Sequence, residues 1–444
     1  MVQPAPATSE KTLGFTTLVC LIIANMIGAG VYTTSGFALS DLGSADRVMA
    51  AWVVGGVIAL CGALSYAGLV RHITESGGEY LFLSRLIHPL AGFIAGWVSL
   101  LAGFTGAIAF AARAFETYAF PTRPDWLPNG VAAAGMVLVA ALLHGFKVQT
   151  GALAQNIVVF LKVTLLIGFL AFAATVAMSQ GAGPAPPPAM PFSISVFAGS
   201  LVWISLSYSG FNAAVYVAGE AKDAQRNAPK ALWVGTLIVT VLYVALNAAF
   251  VYLPPFEAVA GREDVAAAAA QSIGGAPLVL AIRFVIVVSL ITSVFSLVMA
   301  GPRVYARMAD DGVFPAFFRF GAGGAPTAAI MAQAALAIML IALSDLRGLL
   351  SYLGFTLSVS GALTVASLFL IAKRQGRAAV AVWGYPFTPA FYVAATLILA
   401  AIAGRRSPIE LLTMVITLVS GSIVYYAFGL HRAGVPARSV TTND

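Results

Sequence analysis

Apolar residues run along this chain in blocks of about eighteen or more, and the polar residues are confined to the short stretches between them. Twelve such blocks are legible, at roughly 13–37, 48–70, 88–119, 128–146, 153–178, 193–219, 231–254, 276–308, 326–343, 348–372, 387–404 and 408–430. A helix of about 20 apolar residues crosses the ~30 Å hydrocarbon core of a bilayer. The pattern therefore predicts an all-α membrane protein with twelve transmembrane helices. Two of the blocks are interrupted. The first carries two glycines one residue apart, in Ala24-Asn25-Met26-Ile27-Gly28-Ala29-Gly30-Val31-Tyr32, and each weakens a helix by roughly 1 kcal/mol relative to alanine. The sixth carries Ser207-Tyr208-Ser209-Gly210-Phe211-Asn212.

In lipid an opened backbone is tolerated only where it faces protein or water, so the first break predicts a buried polar site near the bilayer midplane. Its freed N–H groups, at the start of the outer half-helix, would face an anion. Close packing of helices through small residues is the other reading of the same glycines. The stretch Ser179 to Phe192, rich in Pro, Gly and Ala and uncharged, reads as a linker between two halves of five blocks each. Because five is odd, the halves have opposite membrane orientations. Breaks at corresponding places in two such halves are the sequence mark of a transporter's binding site. The organisation is then a tail (1–12), a first repeat (13–178), a second repeat (193–372), two further helices (387–430) and a second tail (431–444). The last two helices carry no motif, and their expected role is packing or oligomer contact.

Composition narrows the class. Of 444 residues, 60% are hydrophobic and 9% charged, which excludes a soluble globular chain. The net charge of +7 suggests nucleic acid until the charges are placed. With the N-terminus inside, 15 of the 24 basic residues fall in inner loops and tails, among them Lys11, Arg71, Lys147, Lys222, Arg303, Arg307, Lys373 and Arg432, against 6 outside. This bias puts both termini in the cytoplasm and removes the case for a nucleic-acid partner. Cys20 and Cys61 lie inside apolar blocks and the four histidines have no ligand spacing, so neither a disulfide nor a metal site is expected. The first apolar run is too long for a signal peptide and lacks a small-residue cleavage site after it.

Four motifs resemble the amino acid-polyamine-organocation (APC) superfamily of permeases. They are Ile27-Gly28-Ala29-Gly30-Val31; Ser76-Gly77-Gly78-Glu79-Tyr80 with Gly92-Phe93 and Gly96-Trp97; the sixth-block break followed by Glu220 and Arg226-Asn227-Ala228-Pro229-Lys230-Ala231; and Arg303 through Pro315. The resemblance implies the leucine-transporter-like fold, a five-plus-five inverted repeat with discontinuous helices 1 and 6. It also implies that the amides of Gly28, Ala29 and Gly30 hold a substrate carboxylate, while carbonyls of Asn25 or Met26, Ser207 and Ser209 take its ammonium. Ile27, Tyr208 and Gly210 belong to the same two segments. Asn25 and Ser35 either add polar contacts or satisfy the broken backbone. Leu206 stands where many relatives place a capping Phe or Trp, so Tyr32 or Phe211 would substitute. Asn212 stands where relatives for cationic amino acids often carry an acid, which favours a neutral substrate side chain; the alternative is that Asn212 faces the opened backbone of its own helix.

Lys162 lies about nine residues into the fifth block, roughly 14 Å along a helix. A charge there costs at least about 3 kcal/mol on insertion scales and calls for a partner or for ready loss of its proton. Phe160-Leu161-Lys162-Val163 resembles the sodium-independent, proton-coupled members, in which a lysine amine occupies the place of a sodium ion. Two roles stay open, proton coupling and a fixed brace in an exchanger. Arg113 and Glu116 are expected to pair at i,i+3, and Arg283 either lines the outer vestibule or snorkels. Glu79, Glu220 and Arg303 are gate candidates by resemblance. The expected function is secondary active transport of amino acids across the cell (inner) membrane, by proton-coupled uptake of neutral amino acids or by sodium-independent exchange. The partners are then the amino acid, a proton, the lipid bilayer and a further copy in a homo-oligomer, with no cofactor and no metal. An intramembrane enzyme is disfavoured because the blocks contain no His, Asp, Glu or Cys constellation. A partner-dependent subunit would be expected to bring a large cytoplasmic domain.

Overall fold

A computed structural model describes residues 13–145, 152–180, 191–319, 326–405, 407–428 and 430. Both tails, the middle of the predicted linker (181–190), and Lys11, Lys147, Arg406, Arg432 and Arg438 lie outside the described residues. The elements in chain order are α1 (Phe15–Met26), α2 (Gly30–Leu42), α3 (Ala45–His72), α4 (Gly78–Leu86), α5 (Pro89–Val98), a π-helical turn (Ser99–Phe104), α6 (Thr105–Ala119), α7 (Val131–Gly145), α8 (Ala152–Gln180) and α9 (Ile194–Ser207). A 3-10 segment (Ala213–Glu220) follows, then α10 (Ala224–Tyr252), α11 (Phe256–Val259), α12 (Val265–Asp310), α13 (Thr327–Leu343), α14 (Leu346–Gln375), α15 (Phe387–Gly404) and α16 (Pro408–Ala427).

Nine helical stretches among the described residues are long and apolar enough to cross a membrane: α1 with α2, α3, α5 through α6, α8, α10, α12, α14, α15 and α16. Helices α7, α9 and α13 are apolar but shorter. The outer faces of α15 and α16 expose Phe387, Ile398, Ile409, Leu412 and Ile423, as lipid-facing helices do. The chain is a multi-pass helical membrane protein.

Local chemistry accounts for the boundaries. Pro89 opens α5, and the His88 ring accepts the Leu90 amide, so this histidine caps a helix. Helix α12, with 46 residues, would be about 69 Å long if straight, more than twice a bilayer core. It bends at Gly274 and at Gly275, whose φ is +63°. The predicted span 276–308 is the part beyond this bend, and Val265 to Ile273 form a separate apolar turn before it. Helix α4 falls between two of the apolar blocks and packs against α5 and α14.

Helix α10 packs along both α1 and α3, α12 packs on α6, α7 and α13, and α15 lies against α3, α9 and α14. The two interrupted helices, α1/α2 and α9 with its 3-10 continuation, meet in the middle of this bundle.

Candidate functional site

Helix α1 ends at Met26 and α2 begins at Gly30. Helix α9 ends at Ser207, and the 3-10 segment begins at Ala213. Two glycines let these breaks touch. A Cβ on Gly30 would lie 2.4 Å from Ser207 Oγ and 2.8 Å from Ser207 Cα. Gly210 has φ +95° and its Cβ would lie 2.8 Å from the Asn25 carbonyl, so both space and backbone conformation require glycine there. The pairing puts the orphan N–H groups at the start of α2 against the end of α9, where the Ile204 and Leu206 carbonyls are taken by the Tyr208 and Ser209 amides and the Ser207 carbonyl is not among those taken. Donors for an anion and acceptors for a cation then stand side by side.

Around the breaks is a cavity of about 180 Å³, below the ~300–1,000 Å³ typical of pockets for drug-sized ligands. Of the predicted residues, Asn25, Met26, Gly28, Ala29, Gly30, Leu206, Ser207, Ser209, Gly210, Phe211 and Asn212 line it. Ile27, Tyr32 and Tyr208 do not. Tyr32 is fully buried, with its ring edge-on to Tyr118, and the Tyr208 hydroxyl donates to the Trp52 carbonyl at 3.0 Å. Of the two aromatic substitutes for the missing cap, only Phe211 faces the cavity. The Met26 carbonyl is already occupied, by the Tyr243 hydroxyl and by the Gly28 amide at 2.8 Å. The amides left for an anion are thus those of Ala29 and Gly30. The Asn25 side chain donates back to the Leu21 carbonyl at 2.8 Å. Ser35 binds Asn247 and Trp52 behind the site. Both polar side chains serve the structure around the break.

Lys162, on α8, is 4% exposed, and its Nζ donates to the Ile27 carbonyl at 3.0 Å. That carbonyl belongs to the residue that terminates α1. The expected partner is thus a backbone oxygen released by the break. Among the described residues no ion pair includes Lys162, and no group of three His, Cys, Asp or Glu is placed to hold a metal.

The polar residues near the Leu13 end of the bundle form two networks. Leu13 joins the 3-10 segment through Leu13 N to Glu220 O (3.1 Å) and Lys222 N to Leu13 O (2.8 Å), and Arg303 approaches Glu220 at 3.4 Å. Two of the three gate candidates, Arg303 and Glu220, thus stand within ion-pair distance of each other. Among the described residues Glu79 pairs with no cation. It is 8% exposed in the cavity wall and accepts from the Tyr66 hydroxyl (2.8 Å), the Tyr216 hydroxyl (2.6 Å) and Asn212 Nδ2 (2.8 Å). Asn212 therefore faces neither its own backbone nor the cavity alone, because its amide is turned to Glu79.

At the opposite end the packing is close. Gly261 donates to the Gly36 carbonyl at 2.8 Å, and Arg347 grips Asp41 with contacts of 2.6 and 2.7 Å. The expected Arg113–Glu116 pair does not form. Arg113 donates to Asn129 (2.6 Å) and the Ser344 carbonyl (3.0 Å), while Glu116 accepts the Gly130 amide. The loop that folds over α6 offers Arg113 fixed acceptors that a helix surface lacks. Arg283 pairs with Asp264 at 2.7 Å and donates to the Tyr118 carbonyl at 2.9 Å.

Sequence reasoning missed Tyr66, Tyr216 and Ser293 in the cavity wall, and Tyr392 and Thr396 of α15. Helix α15 thus contributes to the site as well as packing. No motif marks these positions.

Known proteins of similar sequence are permeases and transporters of amino acids. The model of a family described as amino acid permease matches residues 13–426. The b(0,+)-type amino acid transporter 1 of Mus musculus is 27% identical over 249 residues, 54% of this chain and 51% of that protein. The Asc-type amino acid transporter 1 of Homo sapiens is 25% identical over 388 residues, covering 82% of this chain and 72% of the relative. The large neutral amino acids transporter small subunit 2 of Rattus norvegicus is 25% identical over 386 residues, 82% and 71% of the two chains. The chain spans only about half of the first of these relatives and less than three quarters of the others. With a match that runs from the start of α1 to the end of α16 and takes in both breaks, the chain belongs to the amino acid permease family.

Proposed function

We propose that this protein carries amino acids across the cell inner membrane by alternating access, with both termini cytoplasmic, and that the twelve apolar segments form a five-plus-five inverted repeat. The observation that carries this reading is the meeting of the two broken helices at Gly30–Ser207 and Gly210–Asn25. It supplies backbone donors and acceptors within one small cavity, and an α-amino acid carries an anion and a cation about as far apart. A site built from backbone dipoles needs no ionised side chain, which suits a carrier that must release its cargo. The cavity wall next to the breaks includes Leu206, Phe211 and small residues, which suit the aliphatic part of a side chain.

Coupling is assigned to Lys162. A protonated Nζ holds the Ile27 carbonyl and so tethers α8 to α1 at the break. Loss of the proton turns a charge-assisted bond into a weak one and frees α1 to move. Proton release and re-uptake at this atom would therefore accompany the change of access. A permanently charged Lys162 bracing an exchanger is the second reading, favoured by the absence of any proton-accepting carboxylate bonded to it among the described residues.

The test is uptake of radiolabelled alanine into liposomes, with and without an inward proton gradient, competed by the full set of amino acids. Gradient-dependent accumulation that disappears in Lys162→Ala supports proton symport. Uptake that ignores the gradient but requires preloaded amino acid makes the protein an exchanger. Unchanged uptake in Lys162→Ala sinks both roles for this lysine.

A further inference from the structure

We propose that the part of the cavity at Glu79 is a second subsite, which takes the cationic end of a longer amino acid such as lysine while the first subsite holds its carboxylate. The inference rests on the reading of the two breaks as an amino acid site. It starts from a buried carboxylate without a counter-charge. Glu79 comes from α4, outside both broken helices, yet the fold brings it to Asn212, the last residue of the second break. Its three donors, Tyr66, Tyr216 and Asn212, are all neutral, and no ion pair among the described residues includes it. A buried charge is normally paired, because its removal from water costs several kcal/mol. Here the wall that holds the charge is also the wall of the cavity.

Two further features fit a cation. A carboxylate has about four lone-pair positions. Oε1 takes Tyr66 and Asn212, and Oε2 takes only Tyr216, so one position is open. Around it stand aromatic rings from different parts of the fold. Tyr66 and Phe211 have centroids 5.6 Å apart, Phe211 and Tyr392 6.4 Å, and Phe104 and Tyr216 5.5 Å. All five rings line the cavity. Aromatic faces beside a carboxylate attract ammonium and guanidinium groups through cation–π and charge-assisted contacts together.

The polarity of the whole cavity points the same way. The start of α2 presents N–H groups and the positive end of a helix dipole, and Glu79, from a different element, presents a carboxylate in the wall of the same cavity. A zwitterion with a cationic side chain, held by its carboxylate at Ala29 and Gly30, satisfies both. The uncharged Asn212 by itself suggested a neutral cargo, but it now serves to hold the acid supplied by another element.

The experiment measures how lysine and norleucine, matched in chain length but differing in the terminal charge, inhibit labelled alanine uptake into liposomes. The readout is the ratio of norleucine's half-inhibitory concentration to lysine's. In Glu79→Gln, which keeps the shape and loses the charge, this ratio should fall at least tenfold. Tyr392→Leu, which removes a ring and leaves the carboxylate, should lower it in the same direction. Direct binding of labelled lysine to the purified wild-type protein should be displaced by alanine. The proposal is overturned if lysine fails to inhibit wild-type uptake that alanine supports, or if the ratio is unchanged in Glu79→Gln. If wild-type protein takes up no alanine at all, the amino acid reading falls and this inference falls with it.

Discussion

Replacing Gly30 by alanine tests the contact on which the site depends. The added Cβ would come within 2.4 Å of Ser207 Oγ, 2.7 Å of Ser207 Cβ and 2.8 Å of Ser207 Cα. The hydroxyl could rotate away, although it would lose its 2.9 Å bond to Thr34. The Cα could not, because it is backbone at the end of α9. Relief therefore needs a shift of one broken helix against the other. Overpacking of this kind costs about 1–3 kcal/mol, which lowers the population of the state with the breaks in contact about 5- to 150-fold. Alanine affinity and initial uptake rate should fall within that range. Gly135→Ala on α7, where nothing lies within 4 Å, is the control and should behave as wild type. Adding Ser207→Gly to Gly30→Ala removes the Oγ and Cβ conflicts and should recover part of the loss, giving a coupling of about 0.5–3 kcal/mol in a double-mutant cycle. The reasoning is refuted if Gly30→Ala transports as well as Gly135→Ala, or if Ser207→Gly deepens the defect instead of relieving it.

Lys162→Met should abolish gradient-driven uptake without lowering the melting temperature. Removing a mid-membrane ammonium relieves about 2.5–3.5 kcal/mol, and the lost bond to the Ile27 carbonyl takes back about 1.5–3 kcal/mol; a clearly lower melting temperature would favour the brace. The Arg303–Glu220 pair is 40% and 30% exposed, so it is worth at most about 1 kcal/mol. Arg303→Glu alone should change the inward–outward equilibrium about fivefold, read by cysteine accessibility at the Leu13 end, and the exchanged pair Arg303→Glu with Glu220→Arg should restore it. Arg113→Gln should lower thermal stability by roughly 1 kcal/mol through loss of the bonds to Asn129 and Ser344, with alanine affinity as in wild type; an affinity loss would place the residue in the transport pathway.

Much of the architecture was legible because a bilayer leaves few solutions for an apolar chain. Length and hydropathy mark spanning helices, and Gly28, Gly30 and Gly210 mark where two of them open. Lys162 stood out for the same reason, since a charge inside an apolar block has a cost that a sequence displays. The partner of that charge was not legible, because it is a main-chain carbonyl, and every residue has one. The Arg113–Glu116 pair failed because helical spacing says which side chains could meet and nothing about the loop that offers Arg113 better acceptors.

The composition and spacing of the chain by themselves determined that it lives in a membrane, roughly where its long apolar helices lie, and that the first and sixth blocks break. Only the tertiary structure decided that the breaks touch through Gly30 and Gly210, that the Met26 carbonyl is occupied, and that Glu79, Tyr66, Tyr216 and Tyr392 from four separated elements close one wall of the cavity. The physical reason is range. Hydrophobic periodicity and backbone strain are set by neighbours along the chain, whereas a cavity wall is set by helix packing between residues separated by hundreds of positions, and one amino-acid string carries no local trace of that packing.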